Sequence, residues 1–402
     1  MDFVFNEEEQ NFIEEVRAFI SEQAQKPYAD DALSALAKGP RRGKQVADTP
    51  GRRAFTKAMA DRGYLGMSWP KEYGGRDRPG IYEYLLNEEL AAVGAPLIGK
   101  GIGCIGKTLI RHGSDKLKEE FLPKILSAEI EFALGYTEPS GGSDLASLKL
   151  KAERDGEGWR LNGQKTYTTS AHFADWYWVA ARTDPDVPKH KGISVFLIPM
   201  KQEALKVYEI KTVGDERTND VFFDDVWIHN DYLVGEVNKG WRYICEALDY
   251  ERFTLFTISP LVRKYNEAIE AIKTIKKDGV SLKNDPGIRQ QFAHFSAEVE
   301  TAKMLQRKVL VAAGEGEKTG YVPAVEAAYF KLYVTQLGAK IDNAMLNALG
   351  PTGMLHSTDE DTIDDGRWEQ SYRANVVSLV GGGSSEVQKN LIAKRGLKLP
   401  LK

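Results

Sequence analysis

The chain has 402 residues, of which 42% are hydrophobic and 28% charged, and its 54 lysines and arginines against 58 aspartates and glutamates give a net charge of −4. This balance is typical of a globular protein and argues against a nucleic-acid binder that relies on bulk positive charge. The sequence has no apolar run of about 18 residues and no secretory signal at its amino end, so we expect a cytoplasmic chain without a membrane span. Two cysteines and scattered histidines argue against a disulfide framework and a zinc hydrolase.

Residues 1–128 form the first predicted domain, and their pattern indicates helices. Asn6 is placed to cap a helix with an acidic first turn, and apolar residues then recur at helical spacing from Phe12 to Ile20. The basic segment from Lys38 to Arg53 predicts a loop, either solvated or in contact with a phosphate or a partner. The segment Gly101–Gly106 matches GxGxxG, but no strand precedes it, so we interpret its glycines as sites of close helix packing.

Residues 129–240 form a second predicted domain of strands, and residues 241–402 a third domain of helices. Alternation around Leu148–Glu153, a turn at Asp155–Gly158 and apolar runs at Trp176–Ala180 and Ile193–Ile198 indicate short strands of a barrel or sandwich. Helical spacing returns in three long stretches, which favours a helix bundle. These stretches are Tyr243–Ile275, Ile288–Val311 and Ala324–Leu349.

Four segments carry residues suited to chemistry. The turn Tyr136–Asp144 offers hydroxyls and amides suited to a polar ring or a pyrophosphate, and Lys165–Ser170 places an aromatic residue between hydroxyls. Leu248–Arg252 sets a carboxylate beside a guanidinium on a helix, and Val380–Lys389 places three glycines before a helix start. Taken singly, each also fits a structural role: a turn, a Thr-rich strand, a surface ion pair and a plain turn.

Together the four segments resemble one family, the acyl-CoA dehydrogenases. Further matches are Trp69–Gly75, Phe223–Val226 with Leu233–Glu236, and Gln388–Gly396, so the resemblance covers nearly the whole chain. It implies an α+β fold with an amino-terminal helical domain, a middle β-barrel or sandwich domain and a carboxy-terminal four-helix bundle. This agrees with the order of elements expected from the patterns alone.

The resemblance also implies a cofactor and partners. FAD would lie between the β domain and the bundle, in a site that a neighbouring subunit usually completes. Carried over residue by residue, the cofactor-binding set is Tyr136, Thr137, Ser143, Tyr167, Thr168, Thr169, Ser384 and Glu386, and the substrate-binding set is Ser143, Asp249, Tyr250, Arg252, Gly382 and Gly383. The implied partners are an acyl-CoA, an acceptor such as electron-transfer flavoprotein, and further subunits in a homotetramer or a heterotetramer.

The implied reaction is α,β-dehydrogenation of an acyl-CoA to the trans-2-enoyl-CoA. Because Cα–H is a weak acid, the thioester carbonyl must be polarised, and the resemblance gives that role to the Gly382 amide. Many relatives carry their catalytic glutamate at this position, whereas isovaleryl-CoA dehydrogenase-like members have glycine or alanine there and place the base in a Leu-Asp-x-Glu-Arg sequence. Leu248–Arg252 has that sequence, so the resemblance implies Glu251 as the base and Arg252 as the group that orients it.

Two segments depart from the family pattern. The usual Arg-x-x-Phe-Gly is absent near Ile275–Gly279, and the Gly-Gly-Asn-Gly segment is altered at Leu349–Gly353. Relatives that act on bulky substrates, such as steroid side-chain CoA esters, share such features, and some assemble from two unlike subunits. Two alternatives therefore stay open: a non-catalytic partner subunit, and a flavin oxidase or monooxygenase on the same fold.

Overall fold

The computed structural model describes residues 5–33, 46–255, 257–277, 279–319 and 323–400, without the side chains of 250–255 and 314–319. The predicted first helix is confirmed. The Asn6 side chain accepts from Glu9 N, and the Glu9 carboxylate accepts from Asn6 N, each at 2.9 Å, which forms a capping box. The amino-terminal helices are α1 (Glu7–Gln23), α2 (Ala29–Ala32), α3 (Pro50–Arg62), α4 (Ile81–Ala92), α5 (Gly106–His112) and α6 (Asp115–Leu126).

The basic segment ends earlier than expected, because its last residues belong to α3. Thr49 accepts from Arg52 N at 3.3 Å and caps this helix, and Pro50 occupies its first turn. Arg52 is buried and pairs with Asp48 at 2.8 Å, so it is a structural cation. Residues 38–45 of the predicted loop lie outside the described residues.

The glycines of the GxGxxG match serve helix packing, as expected. Residues 101–105 form one π-helical turn that continues into α5, and no strand precedes them in the described chain from residue 46 onward. A Cβ on Gly106 would lie 2.1 Å from the Trp69 ring, and one on Gly101 would lie 3.0 Å from Ile125. The dinucleotide-binding alternative is therefore excluded by the local fold.

The predicted β domain is one mixed sheet of eight strands, which are β1 (Phe132–Gly135), β2 (Lys151–Asp155), β3 (Gly158–Lys165), β4 (Trp176–Arg182), β5 (Ile193–Pro199), β6 (Leu205–Lys211), β7 (Arg217–His229) and β8 (Leu233–Val234). Their order in the sheet is β6-β7-β3-β2-β4-β5-β8, and β1 pairs with β4. The strands β1 and β4 run parallel, and the turn predicted at Asp155–Gly158 joins the antiparallel pair β2 and β3. Among the described residues this pairing path does not close into a barrel.

The remaining chain forms the expected helices, with one break that the pattern did not show. The stretch from Tyr243 to Ile275 is two helices. Pro260 lies in the first turn of the second helix, where a backbone N–H would have no partner within the helix. No helix in the described parts of the chain is long and apolar enough to cross a membrane. The helices are α7 (Gly240–Leu255), α8 (Ser259–Thr274), α9 (Pro286–Thr319), α10 (Ala324–Leu349), α11 (Arg367–Val380) and α12 (Ser385–Leu391).

Reciprocal helix capping joins the first and last parts of the molecule. Glu88 on α4 accepts from the backbone N–H of Ile258 and Ser259 at 3.1 and 2.6 Å, at the start of α8. Arg263 on α8 donates to the carbonyls of Ala91 and Ala92, both at 2.9 Å, at the end of α4. A carboxylate at a helix start and a guanidinium at a helix end both favour the helix dipole, so this contact stabilises the junction.

Candidate active site

The turn that follows β1 is built around a buried glutamate. Glu138 is 5% exposed, and its carboxylate accepts from the backbone N–H of Lys149 at 2.6 Å and of Leu150 at 2.8 Å. Tyr136 is partly buried, and its hydroxyl accepts from the indole N–H of Trp178 at 2.8 Å. Both ends of the turn are therefore held by contacts within the protein.

An ion pair joins this turn to the Lys165–Ser170 segment. Lys165 is fully buried; its ammonium donates to Glu138 Oε1 at 2.7 Å and to the Tyr136 carbonyl at 3.2 Å. Burial lowers the pKa of Lys165 to about 8, although the attraction of Glu138 raises it. The Thr166 N–H also donates to the Thr137 carbonyl at 2.9 Å, so the structure brings the first two predicted segments together.

Tyr167 is presented outward from this segment by an unusual backbone. Its φ is +54°, in the left-handed region that costs a non-glycine residue about 1 kcal/mol or more, and its side chain is 64% exposed. The neighbouring Thr168 is buried and its hydroxyl bonds the hydroxyl of Tyr177 at 2.7 Å, so that side chain supports the interior of the sheet. Tyr167 and Thr169 are the members of this segment that keep exposed surface.

A cleft of about 660 Å³, with many charged and polar residues in its lining, lies where the sheet meets the carboxy-terminal helices. Thr169 lines it from the β domain and Ala374 from α11, and Arg373 on α11 donates to the Val213 carbonyl at 2.6 Å beside it. Neither the Tyr136–Ser143 turn nor the Gly381–Ser384 loop lines this cleft. The cleft thus adjoins the predicted flavin residues at Thr169 and does not enclose the whole predicted set.

The glycine loop follows α11 and begins α12. Gly382 and Gly383 have φ values of +67° and +97°, and Ser384 caps α12 by accepting from Val387 N at 3.3 Å. Gly382 is exposed, and its N–H donates to no protein acceptor among the described residues. Hydrogen bonds from the backbone N–H of Glu386 itself and from the Ser384 hydroxyl hold the pKa of the exposed Glu386 below its usual value.

The predicted base lies on α7, whose backbone is described through Leu255. Asp249 is partly buried on this helix. The side chains of Tyr250, Glu251 and Arg252 lie outside the described residues, so their role stays a prediction. Ser143 is exposed in the turn after β1, next to Asp144, which pairs with Lys189 at 2.7 Å.

The order of helical, sheet and helical parts is the order that the acyl-CoA dehydrogenase resemblance implies. Family models described as acyl-CoA dehydrogenase N-terminal, middle and C-terminal domains match residues 6–129, 133–226 and 238–397. The chain belongs to the acyl-CoA dehydrogenase family and is an FAD-dependent oxidoreductase.

Curated relatives and solved structures agree with this assignment. The acyl-CoA dehydrogenase FadE29 of Mycobacterium tuberculosis is 34% identical and covers 87% of this chain and 89% of its own length. FadE26 of the same organism is 32% identical and covers 85% of this chain and 86% of its own length. A structure named Tcur3481-Tcur3483 steroid ACAD has a TM-score of 0.85 and 30% sequence identity, with 100% of both chains covered. The ChsE4-ChsE5 complex from M. tuberculosis has a TM-score of 0.84 and 29% sequence identity, also with 100% of both chains covered.

The residues present fit FAD. The exposed ring of Tyr167, held out by a left-handed backbone, gives a flat aromatic face, as a planar ring system requires. Thr137 and Thr169 are partly exposed hydroxyl residues, and Thr137 directly precedes Glu138 of the buried ion pair. The two segments that depart from the family pattern also meet, because a Cβ built on Gly350 would lie 3.5 Å from Lys277 Nζ.

Sequence reasoning missed the groups that hold this site in place. In the sequence, Glu138 and Lys165 stand out only as members of their segments, and Trp178 only as part of a buried strand. Each contact joins residues far apart in the chain, so motif spacing did not show it. One signal was available: Lys165 occupies an inward position of β3, on the same face as the buried Leu161, where a charge needs a buried partner.

Proposed function

We propose that the chain converts an acyl-CoA thioester to its trans-2-enoyl-CoA, with Glu251 as the base that removes the Cα proton. The observation that carries this proposal is that Gly382 is an exposed residue with a φ of +67° and that its N–H donates to no described acceptor. Such an amide is free to donate to the thioester carbonyl as enolate charge develops on it. FAD, when bound, supplies the acceptor for the hydride that leaves Cβ.

A residue other than 382 must act as the base, because glycine has no side chain that accepts a proton. Glu251 is the carboxylate that the matched Leu-Asp-x-Glu-Arg sequence supplies, and we assign Arg252 to orient it. Asp249, Tyr250 and Ser143 are assigned to contacts with the substrate. Tyr136, Thr137, Tyr167, Thr168, Thr169, Ser384 and Glu386 complete the proposed flavin set, and the buried hydroxyl of Thr168 limits that residue to an indirect contribution.

A bulky acyl group is the proposed substrate class. Glycine at 382 leaves space beside the reacting carbons that a glutamate side chain would fill. One structural relative is named a steroid ACAD, which supports a steroid side-chain or branched thioester. The electrons would pass to an acceptor protein such as an electron-transfer flavoprotein.

The proposed assembly is a tetramer of like or unlike subunits. The similarity to a two-protein ChsE4-ChsE5 complex supports unlike subunits, and the departures at Ile275–Gly279 and Leu349–Gly353 fit a site completed by a different chain. Flavin content after expression alone and after co-expression with a homologue separates the two assemblies. Flavin retained by the chain expressed alone would contradict the need for an unlike partner.

The substitution Glu251→Gln tests the assignment of the base, since it keeps the shape and removes the proton acceptor. A positioned general base contributes about 10²–10⁴-fold, so the rate of flavin reduction should fall by at least that order while FAD content is unchanged. The panel should include short, branched, long-chain and steroid side-chain CoA esters. Glu270→Gln is the matched control, because this exposed carboxylate forms a local ion pair with Lys273 at 2.6 Å.

Two outcomes contradict the proposal. Flavin reduction at the wild-type rate in Glu251→Gln would remove Glu251 as the base. Oxygen uptake that keeps pace with substrate consumption, without an acceptor protein, would instead favour an oxidase.

A further inference from the structure

Two buried polar side chains hold the glycine loop from within the molecule. Lys331 on α10 is 2% exposed and donates to the Gly383 carbonyl at 2.8 Å and to the Leu379 carbonyl, at the end of α11, at 3.5 Å. Gln388 on α12 is 1% exposed, and its amide group donates to the carbonyls of Gly382 and Gly383 at 3.1 and 3.2 Å. Side chains from two helices, α10 and α12, therefore converge on two consecutive peptide carbonyls.

Burial of these groups is costly for stability. An ammonium loses its hydration when it is buried, and the described acceptors of the Lys331 ammonium are neutral carbonyls. The negative end of the α11 dipole favours the positive charge there. Burial correspondingly lowers the pKa of Lys331, with a nearby Glu386 opposing it. The Gln388 carbonyl oxygen is buried without a partner in the described structure. An apolar side chain of similar length would fill either place at a smaller cost of desolvation.

The hydrogen bonds fix the direction of the neighbouring amide. With the carbonyls of Gly382 and Gly383 turned inward, the peptide planes on the carboxyl side of Gly382 are held, and the left-handed φ of both glycines sets the plane before them. Gly381 N donates to Val377 O at 2.7 Å and anchors the amino side of the loop. Gly382 itself is exposed, and its N–H donates to no acceptor among the described residues.

We infer that Lys331 and Gln388 are positioning residues that aim the Gly382 amide at the thioester carbonyl of the substrate. The inference rests on the proposed function, since it gives the Gly382 amide its role in polarising that carbonyl. Neither side chain touches the substrate; each acts through the backbone of the loop. The amide stabilises charge that exists only as the proton leaves Cα, so misdirecting it slows the chemical step more than it weakens binding.

The test uses Lys331→Met and Gln388→Met in the flavin-loaded protein, because methionine keeps the length of each side chain and removes the donors. Misplacement of a reacting group by about 1 Å costs on the order of 10²-fold, so we expect the maximal rate of flavin reduction to fall about 10- to 100-fold. The Kd for the acyl-CoA should change less than about threefold. Lys340→Met is the control, since Lys340 on the same helix is exposed and pairs with Glu298 at 2.7 Å.

A spectroscopic readout separates positioning from stability. The probe is the trans-2-enoyl-CoA product of the fastest ester in the panel, labelled with ¹³C at the thioester carbonyl. Its carbonyl stretch should move to lower frequency on binding to the wild type and to Lys340→Met, and return toward the free value in the two methionine variants. Glu251→Gln should lose flavin reduction and keep the carbonyl shift.

The outcomes distinguish the two assignments. Wild-type reduction rates and carbonyl frequency in folded Lys331→Met and Gln388→Met would overturn the positioning role and leave the base untouched. Undiminished reduction in Glu251→Gln would overturn the base, and the carbonyl frequencies would still report on Lys331 and Gln388. If one methionine variant fails to fold, the other decides. If both fail to fold, the two side chains serve stability and the inference is wrong.

Discussion

Glu138→Gln is the substitution whose effect the structure specifies most closely. The Glu138 carboxylate accepts three hydrogen bonds, from Lys149 N, Leu150 N and Lys165 Nζ, at 2.6–2.8 Å. Glutamine has one acceptor oxygen, so its NH2 group would face a donor, and the fully buried Lys165 would lose its counter-charge. Removal of one partner from a buried ion pair costs about 3–5 kcal/mol. We expect a loss of that size in the free energy of unfolding, together with loss of FAD.

The assay is guanidinium unfolding of the flavin-loaded protein, followed by tryptophan and flavin fluorescence. Glu153→Gln is the control, because Glu153 pairs with Lys151 at 2.8 Å on the exposed side of β2, and such a pair contributes about 0–1 kcal/mol. The double variant Glu138→Gln, Lys165→Met should recover part of the loss, since it leaves no unpaired buried charge. This account of the turn would be refuted if Glu138→Gln retained FAD and its free energy of unfolding lay within about 1 kcal/mol of that of Glu153→Gln.

Two further predictions concern pH and packing. Burial raises the pKa of Glu131 from 4.5 to about 7, so the folded state holds a proton that the unfolded state releases between these values, and stability falls as pH rises through 7. Glu131→Gln should therefore unfold at higher denaturant than the wild type at pH 8 and match it at pH 4.5; an equal gain at both would contradict this. Gly106→Ala would bring a Cβ within 2.1 Å of Trp69 and should cost about 1–3 kcal/mol, whereas Gly338→Ala, with its nearest side-chain atom at 3.6 Å, should be neutral or stabilising by thermal unfolding. Equal changes in thermal stability for the two alanine variants would show that the space around each glycine does not determine the cost of substitution.

Local signals were enough to predict most elements of the fold. The helix predicted at Ala324–Leu349 has those bounds in the structure, because Pro323 precedes it and Gly350 ends it with a φ of +68°. The break within Tyr243–Ile275 was not predicted, because apolar periodicity continues on both sides of it and Pro260 fits a helix's first turn without a visible interruption. Apolar periodicity shows which face of a helix is buried. It does not show where one helix ends and the next begins when the apolar spacing continues unchanged across the break.

The supports of the site follow a different logic, since they depend on which polar groups meet across long separations in sequence. Two of them carried a local signal all the same. Lys165 follows Leu161 on the inward face of β3, and Lys331 follows Ala324, Ala327 and Ala328 on the buried face of α10. A lysine on an apolar face must find acceptors, because its burial without them is too costly. That rule predicts a partner and not its identity: Lys165 bonds a carboxylate, and Lys331 bonds backbone carbonyls, which no side-chain pattern can reveal. The inward lysines therefore point to where an unpredicted network must exist, and only the fold shows that the second one ends at the Gly382 loop.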